Sequence, residues 1–486
     1  MIWFFLLSGL FLGWSLGAND AANIFGTAVG TRMVKFKVAA VVASIFVIIG
    51  AIVSGAGATH TLGKLGAVNA IAGSFTVALM AGLTVTWMTR LKLPVSTSQS
   101  IVGAIIGWNL FTGLPTDYGS LSKIVSTWII CPILSALFAI IIFRTVRGLI
   151  SRYKIHMLTI DHYNRVALVL IGAFGAYSLG ANNIANVMGV FVPASPFRDI
   201  TLFSMTFTGA QQLFLIGGIA ISIGIFTYSK RVMMTVGDEL FKLTPVAALT
   251  VVLAESLVLF IFASQSLQNW MVSIGLPPIP LVPVSSSQAV IGAVMGIGLT
   301  KGGRGINYRI LGRIASGWVS TPIAACMLTF VALFFVENVF KQDVVKPTQY
   351  QLSRNVLNEI KNSGLDVGNL IPYRNKTFSS AKDFRKSISG KQGWNEREIA
   401  LIFDYAEIDS IIISGEALAV AEKEMSLTDN EINALKQLCG KKFAHRRAFE
   451  KALKNTNFPE INSDFDKKRD LLYHYFKKED KSLLSR

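Results

Sequence analysis

The chain has 486 residues, of which 52% are hydrophobic and only 15% charged, and its formal net charge is +17. Up to residue 340 it holds 20 Lys or Arg and eight Asp or Glu, whereas the last 146 residues carry 26 basic and 21 acidic side chains. A soluble domain averages about 25% charged residues, so the front part falls outside the soluble class; basic loops facing an anionic leaflet account for the positive charge without a nucleic-acid partner.

Apolar runs follow one another near 2–27, 38–58, 67–89, 94–112, 121–143, 166–192, 201–227, 244–266, 281–300 and 310–336. A bilayer crossing needs about 20 residues of helix, so these runs predict an all-α polytopic protein of the cell (inner) membrane. The first run lacks a basic n-region and does not read as a cleavable signal peptide. Cys131, Cys326 and Cys439 are scattered, with the spacing of neither a disulfide framework nor a metal cluster.

Three blocks recur in the same order. WSLGANDAANIFGTAVG (14–30) aligns with YSLGANNIANVMGVFVP (177–193), PVSTSQSIVGAIIG (94–107) with PVSSSQAVIGAVMG (283–296), and KIVSTWIICPILSALF (123–138) with RIASGWVSTPIAACML (313–328). Chance similarity of apolar helices would not reproduce the polar residues as well. Lys and Arg gather at 32–37, 90–92, 144–165, 230–242 and 301–313, while the loops 57–66, 115–120 and 191–199 are poor in them. With the basic loops inside, the first GAN segment runs outward to inward and its partner the other way. The expected organisation is a first transmembrane repeat (1–143), a basic cytoplasmic linker (144–165), a second, inverted repeat (166–338) and a soluble helical tail (339–486). Inverted repeats with broken helices or re-entrant half-helices are the architecture of many secondary transporters.

Asp20 and Glu255 are the only acidic residues within these spans. A carboxylate at membrane depth costs at least about 2.5–3.5 kcal/mol on insertion scales, so it either lines a working cavity or locks two helices by hydrogen bonds. Asn19 and Asn23 flank Asp20, and Gly17 and Gly26 are expected to loosen the helix so that carbonyls can turn toward a cation. Sodium is a hard cation and wants such oxygens. Glu255, alone in VVLAESLVLF, leaves helix locking and ion binding both open. The PVSTSQ and PVSSSQ motifs place a proline ahead of a new helix, and Ser96-x-x-Gln99 and Ser285-x-x-Gln288 fit the capping-box pattern. Each motif therefore predicts a helix start at membrane depth, an anion site strengthened by the hydroxyls of Ser96, Thr97, Ser98, Ser285, Ser286 and Ser287. The plain alternative is a proline kink capped by its own serines. Cations at the GAN segments would offset an anion held between the two helix starts, each raising the affinity for the other.

GANDAANIFGTAVG, GANNIAN and the paired PVST and PVSS motifs resemble the signatures of the PiT-type inorganic phosphate transporter family. The resemblance covers residues 1 to about 338 and implies a sodium- or proton-coupled symporter of inorganic phosphate, with no cofactor beyond the coupling ions. It implies phosphate contacts at Ser96, Thr97, Ser98, Gln99, Ser285, Ser286, Ser287, Gln288, Asp20 and Asn183. It implies sodium ligands among Asn19, Asp20, Asn23, Asn182, Asn183, Asn186 and Glu255. Two departures stand out: the second motif usually reads GAND where this chain has Asn183, and Gln99 and Gln288 stand where many members have histidine. The first puts cation stoichiometry in question and the second removes a group that titrates near neutrality. The family includes sulfate permeases, and losing one carboxylate acceptor weakens the preference for a protonated anion, so sulfate is the alternative substrate.

After Glu337, the segments TQYQLSRNVLNEIKNSG, NEREIALIFDYAEID and LTDNEINALKQLC read as short amphipathic helices, the last capped by Thr428, and KRDLLYHYFKKEDKSLLSR as a basic helical end. The span count puts this tail outside the cytoplasm. His445, His474 and Cys439 show no metal-ligand spacing. A membrane receptor signalling through the tail is the different-class alternative, but no phosphate loop, nucleophile–base pattern or kinase-like motif supports it or an enzyme. GxxxG-like spacing is too common in transporter helices to establish a dimer interface, so a homodimer remains an option.

Overall fold

The first apolar segment folds as two helices, α1 (Ile2–Asn19) and α2 (Ala21–Gly30), meeting at Asp20. The structure is a computed structural model. It describes all residues except 1, 67, 91–94, 154, 155, 203, 204, 231, 234–243, 301, 303–307, 390–393, 410, 425, 426, 457, 459–471, 474, 475 and 477–486. Pro94, most of the basic loop 230–242, about half of the basic loop 301–313, and most of the tail's basic end therefore lie outside the described residues.

The chain continues through α3 (Phe36–Ser54), α4 (Ala56–Leu65), α5 (Ile71–Arg90), α6 (Thr97–Thr112), α7 (Tyr118–Tyr153) and α8 (Met157–Met188). After a short hairpin of β1 (Ile200–Leu202) and β2 (Met205–Phe207) come α9 (Gly209–Thr227), α10 (Pro245–Ala263), α11 (Gln265–Ser273), α12 (Ser286–Thr300) and α13 (Tyr308–Asn338). Among the described residues, eight helical stretches are long and apolar enough to cross a membrane.

The ten expected spans need three corrections. The run at 201–227 opens as the β1–β2 hairpin, because Asp199 accepts from the Gly209 N–H at 2.7 Å and Thr208 closes a full capping box with Gln211, so the helix starts at Gly209. The runs at 94–112 and 281–300 are irregular chain leading into α6, of 16 residues, and α12, of 15. At 1.5 Å per residue these helices reach about 24 and 22 Å, short of a hydrocarbon core about 30 Å thick. Between α7 and α8, where a linker was expected over 144–165, helix runs to Tyr153 and resumes at Met157.

The matched segments pack in exchanged pairs. α6 lies along α13 and its counterpart α12 along α7; α1 packs on α9 and α8 on α3; α5 meets α13 and α10 meets α7. Glycine sets the closeness of the exchange. A Cβ on Gly103 would sit 2.1 Å from the Pro322 carbonyl oxygen, and one on the matching Gly292 would sit 2.1 Å from that of Pro132. The two copies thus form one compact unit, Met1–Thr112 with Thr116–Lys346, rather than two bodies side by side. Inside it, hydroxyls return to the carbonyl one turn back, as from Thr76 to Ala72 and Thr250 to Val246 at 2.8 Å, so they need no further partner.

The second unit comprises Gly113–Pro115 with Pro347–Arg486. It is not all-helical as expected: two small modules each carry a two-stranded antiparallel ladder. In the first, β3 (Tyr350–Gln351) pairs with β4 (Thr377–Phe378) beside α14 (Arg354–Asn362), α15 (Ala381–Ser389) and α16 (Glu396–Ala406). In the second, β5 (Ile411–Ile412) pairs with β6 (Lys442–Phe443) beside α17 (Gly415–Glu424), α18 (Asp429–Lys436) and α19 (Arg446–Lys454). The register repeats, Tyr350 facing Phe378 as Ile411 faces Phe443. KTFSSAKDFRKSI (376–388) likewise matches KKFAHRRAFEKAL (441–453), with Phe384 and Phe449 at the same place in separate cores. Arg447 of α19 donates to Asp404 of α16 and joins the modules.

Candidate functional site

The site forms where each GAN segment meets the helix start of the other copy. Asn23 of α2 donates to the Ser286 and Ser287 hydroxyls at 3.1 and 3.3 Å. Asn186 of α8 donates to the Ser98 hydroxyl at 2.8 Å and to Asn183 Oδ1 at 2.9 Å. Asp20, at the break between α1 and α2, faces hydroxyls from both copies, Thr97 of α6 and Ser286 of α12. Residues 163 positions apart in the sequence thus arrive as partners of opposite helix starts.

Local sequence explains the parts. At Asp20 the peptide N–H still reaches Leu16 O at 2.7 Å, while the next bond tightens to Asn23 N–H on Asp20 O at 3.0 Å, a three-residue turn that interrupts the ladder. Gly17 does not loosen this helix as expected. It is the point where α1 touches α9: a Cβ there would lie 1.9 Å from the Ile221 carbonyl oxygen. The equivalent α8 passes through Asn182, Asn183 and Asn186 unbroken. The capping boxes are half made. The Gln99 and Gln288 N–H groups reach Ser96 and Ser285 Oγ at 3.4 and 3.2 Å, but the glutamine side chains do not close the box. Gln99 Oε1 and both polar atoms of Gln288 are buried with no partner among the described residues. Unpartnered buried polar atoms are rare in folded proteins and mark a place meant for something else.

The other expected residues divide. Asn182 holds the chain ahead of α12: its Oδ1 accepts from the Val284 N–H at 3.0 Å and its Nδ2 lies 3.4 Å from Val282 O. The Asn19 amide returns to Ser15 O at 3.0 Å on its own helix. Glu255 on α10 is 0% exposed, with neither carboxylate oxygen partnered among the described residues, and it feels the charge of Asp20. Among the described residues no hydrogen bond locks Glu255 to a neighbouring helix.

Sequence reasoning missed Cys131. Its thiol on α7 lies 3.7 Å from Ser285 O and within electrostatic reach of Glu255. The third repeated block carries it opposite Thr321, which was the available signal. Among the described residues no group of three or more His, Cys, Asp or Glu could hold a metal ion; hydroxyls and amides make up this site instead, with Asp20 and Glu255 as its charges.

The chain matches the Phosphate transporter family over residues 16–329. It is 27% identical over 404 residues to a protein of Pyrococcus abyssi (strain GE5 / Orsay) named "Putative phosphate permease", covering 67% of this chain and 96% of that one. It is 23% identical over 439 residues to "Inorganic phosphate transporter 2-1, chloroplastic" of Arabidopsis thaliana, covering 68% of this chain and 72% of that one. Its fold is similar to that of a solved structure titled "The sodium-dependent phosphate transporter", with a TM-score of 0.55 at 22% identity over 69% of this chain and 98% of that one.

Proposed function

The chain belongs to the Phosphate transporter family, and from that premise we propose that it imports inorganic phosphate by symport with sodium. It is a multi-pass membrane permease, not an enzyme. Charge balance carries the reading. Asp20 and Glu255 are both buried and within electrostatic reach of each other, and no side chain named at the site is basic. A dianion added to two carboxylates needs positive charge brought in from outside, and a co-transported cation supplies it.

Phosphate oxygens accept from the free N–H groups and hydroxyls at the starts of α6 and α12, where both helix dipoles turn their positive ends to the anion. Asp20 accepts the proton of hydrogen phosphate, an interaction that sulfate at neutral pH does not offer. Sodium sits against Asp20, Asn23 and Glu255, whose oxygens suit a hard cation. Rocking of the two inverted repeats about the site would expose it to each side in turn.

The test is uptake of labelled phosphate into proteoliposomes with and without an inward sodium gradient, in the presence of excess sulfate. Sodium-driven accumulation that sulfate barely inhibits supports the reading. Sulfate uptake that outcompetes phosphate, or uptake that follows a proton gradient and ignores sodium, would replace it with one of the two alternatives. Downhill movement indifferent to every cation gradient would make the protein a channel.

A further inference from the structure

We propose that Asn183 is an anion donor and not a cation ligand, so the two GAN corners do different work and cation coupling runs through the Asp20 corner. This rests on the phosphate-symport reading and assigns one residue within it.

The orientation of Asn183 follows from a chain of hydrogen bonds anchored on a backbone carbonyl. Val284 O can only accept, so the Ser98 hydroxyl, 3.2 Å away, spends its one proton there. Ser98 Oγ must then accept from its other neighbour, and Asn186 Nδ2 lies 2.8 Å off. The same NH2 group reaches Asn183 at 2.9 Å, and the atom that receives it is Asn183 Oδ1. The Asn183 carbonyl therefore faces the Asn186 NH2 group, and its own NH2 group is turned the other way. Asn183 is 1% exposed and its Nδ2 is buried with no partner among the described residues.

A buried, unpartnered NH2 group repels a cation and fits an anion oxygen. The opposite corner has the reverse character. There Asn23 donates to Ser286, and the Ser286 and Thr97 hydroxyls face the Asp20 carboxylate. Asn183 and Asp20 occupy equivalent places in the repeated motif, so one sequence position has become a donor in one copy and a charged acceptor in the other. The unpartnered acceptors of the second corner among the described residues, Asn186 Oδ1 and Gln99 Oε1, are neutral amide oxygens, a weaker set for a cation than the Asp20 carboxylate.

Two variants of the full chain in proteoliposomes test this, with phosphate KM read at saturating sodium and sodium half-saturation at saturating phosphate, since the two affinities are linked. Asn183→Ala removes the donor: phosphate KM should rise roughly tenfold or more, the cost of losing a hydrogen bond to a charged group, with sodium half-saturation unchanged. Asn183→Asp should impair phosphate at least as much while steepening the sodium dependence and raising the sodium-to-phosphate flux ratio, because a carboxylate at the second corner, the third at the site, recruits a further cation. A rise in sodium half-saturation with unchanged phosphate KM in the alanine variant overturns the proposal. Melting of each purified variant, with and without sodium, separates misfolding from lost binding. If the wild-type protein carries sulfate and not phosphate, the function reading fails on its own. The assignment then stands or falls on whether Asn183→Ala raises the sulfate KM. If neither anion is carried and neither raises the melting temperature of the wild-type protein, both fail.

Discussion

Asp20 is the one residue at the site that combines a formal charge with hydroxyl neighbours from both copies. Replacing it with asparagine keeps shape and removes the carboxylate to which we assign the phosphate proton and the coupling cation. Asp20→Asn is expected to lower sodium-driven uptake at least about a hundredfold, since each 1.4 kcal/mol is tenfold and two charge-assisted contacts are lost at once. Initial-rate uptake of labelled phosphate checks it, and activity within tenfold of wild type would remove Asp20 from the coupling. Ser98 is a subtler case, because it links Asn186 to the Val284 carbonyl. Ser98→Ala leaves one of the two Asn186 N–H bonds without its acceptor at a cost of about 1–3 kcal/mol, which should appear as a phosphate KM raised roughly five- to a hundredfold with folded yield retained. At this scale the sequence was highly legible: the GAN and PVS motifs, repeated, named nearly every side chain that meets at the site. It could not tell that Asn182 and Asn19 are spent on the backbone, because Val282, Val284 and Ser15 carry no side-chain signal of that use.

Among the elements, α6 and α12 matter most. Each is too short to cross a bilayer alone, and each starts beside a GAN segment of the other copy. Their positions depend on the crossings at Gly103 with Pro322 and at Gly292 with Pro132. Gly103→Val would push its Cβ into a backbone carbonyl that cannot rotate away. We expect a loss of about 1–3 kcal/mol in stability, the usual cost of overpacking, read as a lowered melting temperature in detergent. The symmetric change at Gly292 should match it. A melting temperature unchanged from wild type in both variants would show that these helices have room to shift. Apolar periodicity alone could not find this. A run of apolar residues reads the same whether it crosses the membrane or enters as extended chain and a half-helix, so 94–112 and 281–300 looked like ordinary spans. Only the proline and serine clusters at their heads marked the difference.

Taken as a whole, the chain divides at Lys346/Pro347 into a membrane unit and a duplicated tail. The tail has its own two cores, around Phe384 and Phe449, and every side chain named at the candidate site lies in the membrane unit. A chain ended after Lys346 is therefore expected to keep sodium-driven phosphate uptake within about threefold, the range left by a lost accessory contact of under 1 kcal/mol. Uptake lost while phosphate still stabilises the truncated protein against heat would instead make the tail a gate. Within the tail, Arg447→Ala removes the donor to Asp404 and a cation stacked 4.0 Å above the Tyr405 ring. Its expected cost is about 1 kcal/mol, since both partners are partly exposed, and limited proteolysis between the modules would report it.

The sequence by itself determined the membrane class, the duplication and which polar residues to gather as a candidate site, because burial in lipid forces apolar runs and leaves the few polar residues conspicuous. It also contained the tail's duplication, which helical periodicity hid behind short strands of two residues. Tertiary structure alone decided how the copies interlock, which amides are spent on the backbone, and that Asn183 turns its NH2 group away from Asn186. Those outcomes depend on which carbonyl lies 3 Å from which hydroxyl, across chain separations of 88 to 264 residues, and no local pattern encodes a distance of that kind.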